Sequence, residues 1–282
     1  ACFAAAIVEG GPCTNVDKSV KETGETYRLN AQYKFDDDRM VYVTYSTGFR
    51  PGGINRRGTL PPYKSDFLKN MEIGWKTTWL GGALRWNGAA YSEKWDDFQF
   101  SFLGANGLTE IRNAGKAKMR GVESDINWLA AEGLTLTASG AYTKAELDED
   151  YVPDPSAPPD ALKGTSLPVT PKFKGNLTAR YEWPVGEMDA HVQGALVYNG
   201  SNFPDLTIAD RAVIGKVPSY STVDLTAGLD KGSWRVEAYV KNLLDEDGQI
   251  DRSVQCASSV CSTVYVSRIR PRTIGLRFGQ SF

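Results

Sequence analysis

The stretch "TYRLNAQYKF", Thr26–Phe35, decides the fold. Its odd positions, Tyr27, Leu29, Ala31, Tyr33 and Phe35, are apolar, and Arg28, Asn30, Gln32 and Lys34 between them are polar. A strict period of two predicts a strand with one apolar face. The same alternation returns in Met71, Ile73, Trp75 and Trp79 against Glu72 and Lys76, and in Val122, Ile126 and Trp128 against Glu123, Asp125 and Asn127. Further apolar faces are Leu134 to Tyr142, Leu177 to Trp183, Val223 to Leu229 and Trp234 to Val240. This parity predicts about eleven strands.

The connections carry more information than the strands. "DDDR" at Asp36, "LGG" at Leu80, "AAEG" at Ala130, "PVGEM" at Pro184 and "DKGS" at Asp230 read as tight turns. Between them lie long connections, Arg50 to Asp66, Ser101 to Glu110, Ala145 to Pro168, Asn199 to Pro218 and Asp245 to Ser262. Short and long strictly take turns. Greek-key connections in a soluble sandwich mix their lengths, whereas an outer-membrane barrel has short periplasmic turns and long external loops.

Aromatic placement is an independent test, because such barrels carry aromatic girdles where the apolar band meets the headgroups. Phe35, Trp79, Trp128, Trp183 and Trp234 each stand near one of the five tight turns, on the apolar parity of their strand. Counting strand direction from the last turn predicts that Phe282 joins the same girdle. The polar parity then faces the lumen, since Lys or Arg on the lipid face near mid-membrane costs about 2–4 kcal/mol each. Arg28, Lys34, Glu72, Lys76, Glu123 and Asp125 are all on that parity.

Composition excludes several classes. With 41% hydrophobic and 23% charged residues the chain is ordered rather than disordered, and a net charge of −2 with both signs scattered provides no basic stripe for nucleic acid. The run "ACFAAAIV" is far short of the roughly 18 apolar residues a transmembrane helix needs. The four cysteines form two local pairs, Cys2 with Cys13 and Cys256 with Cys261, both in loop-like segments that strand counting places outside. Disulfides and an oxidising compartment are the favoured reading. Zinc is the competitor, disfavoured because neither spacing is CxxC and His191 is the only histidine.

The stretches "VYVTYSTGFRPGGIN" (41–55), "NMEIGWKTTWLGGALRWNGAAYSEKWDDFQ" (70–99), "RNAGKAKMRGVESDINW" (112–128), "VKNLLDED" (240–247) and "RPRTIGLRFGQSF" (270–282) resemble successive parts of the barrel of TonB-dependent outer-membrane receptors. The resemblance runs from about Glu25 onward and matches the carboxy-terminal half of that barrel. It implies an all-β, twenty-two-stranded transmembrane barrel in the outer membrane of a Gram-negative bacterium, of which residues 26–282 form one half and residues 1–25 an external loop segment. It also implies a plug domain and a TonB box, neither visible in this chain, on which the TonB–ExbB–ExbD system acts. The implied cargo is a ferric siderophore first, with cobalamin, haem or oligosaccharide as family alternatives.

Within the loops, Arg50, Arg56, Arg57 and Tyr63 in "RPGGINRRGTLPPYKSD" form a grouping suited to an anionic chelate through charge-assisted hydrogen bonds and a ring face. A solvated, turn-rich loop is the plainer reading. The acidic run "ELDEDYVPDPSAPPD" lacks the spacing of a calcium loop, so no metal is expected there. His191 is on the polar parity with no catalytic partner in sequence, and no Ser, Cys or carboxylate constellation points to an enzyme or a cofactor. A soluble glycan-binding β-sandwich and a passive porin-like channel are the rival functions. Finally, eleven strands is an odd number and would leave two open edges in hydrocarbon, so a plug and about eleven more strands are expected upstream.

Overall fold

The computed structural model describes residues 16–55, 60–103, 109–256 and 260–281. Its strands are β1 (Arg28–Lys34), β2 (Arg39–Arg50), β3 (Asp66–Trp79), β4 (Leu84–Asp96), β5 (Gln99–Leu103), β6 (Thr109–Asn113), β7 (Ala117–Ala131), β8 (Leu134–Leu147), β9 (Phe173–Val185), β10 (Met188–Asn199), β11 (Tyr220–Lys231), β12 (Trp234–Lys241), β13 (Gln249–Ser253), β14 (Tyr265–Arg268) and β15 (Thr273–Gln280). Eleven of them form one sheet in the order β1-β2-β3-β4-β7-β8-β9-β10-β11-β12-β15, with every neighbouring pair antiparallel.

Directly opposed residues share a face, so the register carries the parity of each strand into the next. One row across the sheet reads Ala31, Val43, Ile73, Ala90, Val122, Tyr142, Phe173. The neighbouring row on the other face reads Asn30, Thr44, Glu72, Tyr91, Gly121, Thr143. The apolar face is continuous from β1 to β15 and stays uncovered: Ile73 is 56% exposed, Val236 48% and Leu276 81%. A soluble sandwich would need a second sheet over this face. The other two sheets among the described residues have two strands each, so the sandwich reading is set aside.

At one end, tight turns join β1 to β2, β3 to β4, β7 to β8, β9 to β10 and β11 to β12, as the alternation predicted. Gly186 and Gly232 take φ of 63° and 57° in two of them, with open space where a Cβ would stand, so backbone conformation alone selects glycine there. At the other end the connections span 51–65, 97–116, 148–172, 200–219 and 242–272. Three are more structured than their sequence suggests. β5 and β6 form a hairpin with each other instead of lengthening β4 and β7, β13 pairs with β14, and a short helix α1 (Ile208–Ile214) starts on a Thr207 cap that accepts from the Asp210 N–H.

Candidate functional site

Two of the long connections, 51–65 and 97–116, are tied together at a buried carboxylate. Arg50 and Asp66 are directly opposed at the ends of β2 and β3, and Asp66 is 1% exposed. Its carboxylate accepts from the Arg50 backbone N–H (3.2 Å), the Arg50 guanidinium (3.0 Å at Nε) and the Gln99 backbone N–H (3.1 Å). The guanidinium also donates to the Gln99 carbonyl at 3.1 Å and stands 4.9 Å over the Trp95 ring.

Three amide side chains extend this tie. Asn55 donates to the Ile111 carbonyl (2.9 Å) while accepting from the Ile111 N–H (2.7 Å), as a strand neighbour would. Asn113 does the same with Lys64, donating to its carbonyl at 3.0 Å and accepting from its N–H at 2.8 Å. Gln99 donates to the carbonyls of Pro51 and Lys64, both at 3.0 Å. The connection 51–65 and the β5–β6 hairpin are therefore fastened to each other. The preceding segment joins them through Glu22, whose carboxylate accepts from Gly52 N–H and the Ser65 hydroxyl.

Beneath these connections is an apolar core of Phe98, Phe100, Ala114, Leu147, Tyr151, Ala161, Leu167 and Leu206, against which Trp95 and Met119 pack. Trp95, Ala117, Met119, Ala145 and Leu147 share the polar face of the sheet, so the connections fold inward over that face. Arg211 of α1 anchors one flank, donating to the carbonyls of Asp205 (2.8 Å) and Ser166 (2.5 Å) and standing 4.4 Å over Phe203. Burial, with Asp210 beside it, pushes the Asp205 carboxyl above its ordinary value.

A cavity of about 780 Å³ opens between connection 51–65, the hairpin and connection 148–172, within the range of small-molecule sites. Tyr63, Lys64, Arg112, Asn113, Glu149 and Tyr151 are among its lining residues. Arg112 is 3.3 Å from Glu110, and burial raises the Tyr151 hydroxyl above its usual pKa. Of the sequence-selected group, Tyr63 lines this cavity and bridges to Gly53, Arg50 is turned onto Asp66, and Arg56 and Arg57 lie outside the described residues. Arg112 and Tyr151 were not singled out by sequence; their signal is three-dimensional, because only the hairpin and the inward fold of connection 148–172 bring them to Tyr63.

Cys256 and Cys261 form a disulfide with Cα atoms 5.6 Å apart, and Cys2 and Cys13 lie outside the described residues. On the polar face, large rings lie over glycines of the adjacent strand: Tyr42 over Gly74, Tyr91 over Gly121, Tyr239 over Gly275 and His191 over Gly228. A Cβ at any of these glycines would collide with the ring. His191 is 3% exposed, 3.7 Å from both Asp230 and Glu237. On the apolar face Phe35, Trp79, Trp128, Trp183 and Trp234 are all exposed beside the tight turns; Phe282 lies outside the described residues.

The comparisons agree with this geometry. The family described as TonB dependent receptor-like, beta-barrel matches residues 9–243. The pesticin receptor of Yersinia enterocolitica is 22% identical over 260 residues, covering 88% of this chain and 35% of the relative. The ferrichrome outer membrane transporter/phage receptor of Escherichia coli is 26% identical over 235 residues, 79% of this chain and 28% of the relative. Among solved structures, the ferric yersiniabactin uptake receptor of Yersinia pestis superposes with a TM-score of 0.73 at 21% identity, covering 90% of this chain and 37% of that one. The chain spans about a third of the length of the curated relatives it matches. Its uncovered apolar face, the exposed aromatics beside its tight turns and its sided connections accord with an outer-membrane wall, and the chain belongs to the TonB-dependent receptor β-barrel family, a family of transport receptors in the Gram-negative outer membrane.

Proposed function

We propose that this chain forms the carboxy-terminal half of a TonB-dependent active transporter whose cargo is a ferric siderophore. The TonB–ExbB–ExbD system would act through a plug and TonB box outside these residues. The observation that carries the reading is the mouth cavity, which combines two tyrosines (Tyr63 and the buried Tyr151), cations (Lys64, Arg112) and carboxylates (Asp97, Glu149, Asp150) in a volume suited to a small polar chelate bearing groups of both signs. Arg56 and Arg57, which lie outside the described residues, follow the lining residue Asn55 directly in sequence and are proposed on that ground as further cationic contacts for the cargo. Arg50 contributes by holding the cavity's wall through Asp66. No reaction is assigned to the chain. The names of the relatives support the cargo class, since the receptors matched include those for ferrichrome and ferrioxamine B.

The test is binding of hydroxamate, catecholate and phenolate ferric chelates to the purified full-length receptor, read by quenching of intrinsic fluorescence, with haem, cobalamin and an oligosaccharide as the other arms. Tyr63→Ala combined with Arg112→Gln is expected to weaken the bound ferric chelate at least about tenfold, the loss of roughly one charge-assisted hydrogen bond. Tight binding of haem, cobalamin or the oligosaccharide with no ferric chelate bound would replace the cargo assignment.

A further inference from the structure

The apolar face changes character at its long-connection end. Lys69 of β3 is directly opposite Lys94 of β4, and Lys94 is directly opposite Lys118 of β7. One row nearer the tight turns, Arg120 of β7 is directly opposite Lys144 of β8. All five cations stand on the same face as Ile73, Val122 and Trp128, not on the polar face. Like charges directly opposed across strands repel, so the sheet carries this cluster at a cost.

Acidic residues offset only part of it. Lys69 is 3.2 Å from Asp96, Lys118 is 2.8 Å from Asp148 and 3.4 Å from Glu146, and Lys144 is 3.0 Å from Glu146. Five cations against these three carboxylates leave two positive charges. Lys94 and Arg120 are exposed, and among the described residues neither has an ion-pair partner, although Lys94 stands between two other ammonium groups.

Height on the wall decides what meets them. Lys69 is ten residues from the girdle residue Trp79 along β3, and Lys118 is ten residues from Trp128 along β7. Ten residues of strand are about 33 Å, which at the usual barrel tilt is about 25 Å of height, the thickness of the apolar band. The outward-facing residues of β3 between the ends, Met71, Ile73, Trp75 and Thr77, carry no charge. Lys69, Lys94 and Lys118 therefore stand one hydrocarbon thickness above the periplasmic girdle, at the level of the external headgroups, and Arg120 and Lys144, one row lower by about 5 Å, reach that level with their long side chains.

We propose that Lys69, Lys94, Lys118, Arg120 and Lys144 form a docking site for the phosphorylated headgroup of an external-leaflet lipid, with its acyl chains against Met71, Ile73, Val122 and Tyr142. Charge complementarity and the adjoining exposed apolar surface favour a lipid over a soluble partner, which would have no use for the apolar half of the site. Lys94 and Arg120 carry most of the discrimination, because their charge is not shared with a carboxylate.

The experiment is native mass spectrometry of the detergent-purified full-length receptor with added lipid A, with lipid A stripped of its phosphates, and with inorganic phosphate as competitor. Heat-modifiable gel migration establishes that each variant is folded. Lys94→Gln combined with Arg120→Gln is expected to weaken lipid A binding about 25-fold, roughly fivefold for each charge removed. Dephosphorylated lipid should bind wild type about as weakly as lipid A binds the variant, and millimolar inorganic phosphate should not compete. Lys231→Gln, at the opposite rim and paired with Glu187 at 2.9 Å, should leave binding unchanged. Equal binding of lipid A to variant and wild type, equal binding of the dephosphorylated lipid, or full competition by inorganic phosphate would each overturn the proposal. Cargo uptake is not the readout, so that failure would leave the transport reading standing.

Discussion

Replacing Asp66 with alanine should loosen the mouth without dissolving the wall. The carboxylate is almost fully buried and is the shared acceptor for the Arg50 guanidinium and for the backbone N–H groups of Arg50 and Gln99. Truncation leaves two backbone donors and one side of a guanidinium without their acceptor. Removing one partner of a buried pair costs about 3–5 kcal/mol, and the Arg50 side chain, 49% exposed, recovers part of that from water, which puts the expected loss near the lower limit, about 3 kcal/mol. The loss falls on the contact between β2–β3 and the β5–β6 hairpin, not on the strand ladder. Hydrogen exchange of the full-length receptor should therefore show amides 99–103 and 109–113 exchanging about a hundredfold faster, at about 1.4 kcal/mol per factor of ten. Amides in β9 and β10 should keep their protection. A change of less than about fivefold in the hairpin, or equal loss across the sheet, would refute the reasoning that Asp66 is the local tie.

Other outcomes follow from the same geometry. Val122→Lys puts an ammonium on the apolar face near mid-strand and should lower the free energy of unfolding in vesicles by about 2–4 kcal/mol, whereas Glu123→Lys, one residue on and facing the other way, should change it by well under half of that. Gly74→Val should displace the Tyr42 ring and cost about 1–3 kcal/mol by overpacking, and adding Tyr42→Ala should recover part of the loss in a double-mutant cycle, which additive losses would disprove. The raised carboxyl of Asp205 binds its proton more tightly folded than unfolded, so its contribution favours the folded loop below the ordinary Asp range and is lost as pH rises through the raised value. Protection of amides 208–214 should accordingly grow on mild acidification, and Asp205→Asn should flatten that growth; an identical profile in the variant would assign the effect elsewhere. Mass spectrometry of unreduced peptides should find Cys256 joined to Cys261 and Cys2 joined to Cys13, and cross-pairing between the two regions would contradict the local pairing.

The wall was legible because its signal is local. Whether Leu29 or Asn30 faces lipid depends on parity alone, and every strand of the sheet repeats that parity in register. The tight turns and their tryptophans were legible for the same reason. The mouth was not. Asn55 bonds to Ile111, and Asn113 to Lys64, across separations of 56 and 49 residues, and a side-chain amide standing in for a strand neighbour has no sequence signature. Phe98 and Phe100 gave no parity cue because they belong to a connection that buries its own core. Arg50 is the instructive case: charge alone suggested cargo, yet Arg50 and Asp66 bracket the connection and are register partners, so the hairpin geometry of β2 and β3 already pairs them. The outward cations were visible in sequence as charges and became a cluster only when register placed Lys69, Lys94 and Lys118 in one row.

The most direct test of the account is collisional accessibility along β7 in the full-length receptor in bilayers. Single cysteines at positions 122 to 127, on a background with the native cysteines replaced by serine, would carry spin labels read with oxygen as the lipid-phase probe and a nickel chelate as the aqueous one. Strict alternation is expected: Val122, Ser124 and Ile126 accessible to oxygen, and Glu123, Asp125 and Asn127 accessible to the chelate or shielded from both. Aqueous accessibility at all six positions, or alternation with the opposite parity, would contradict it.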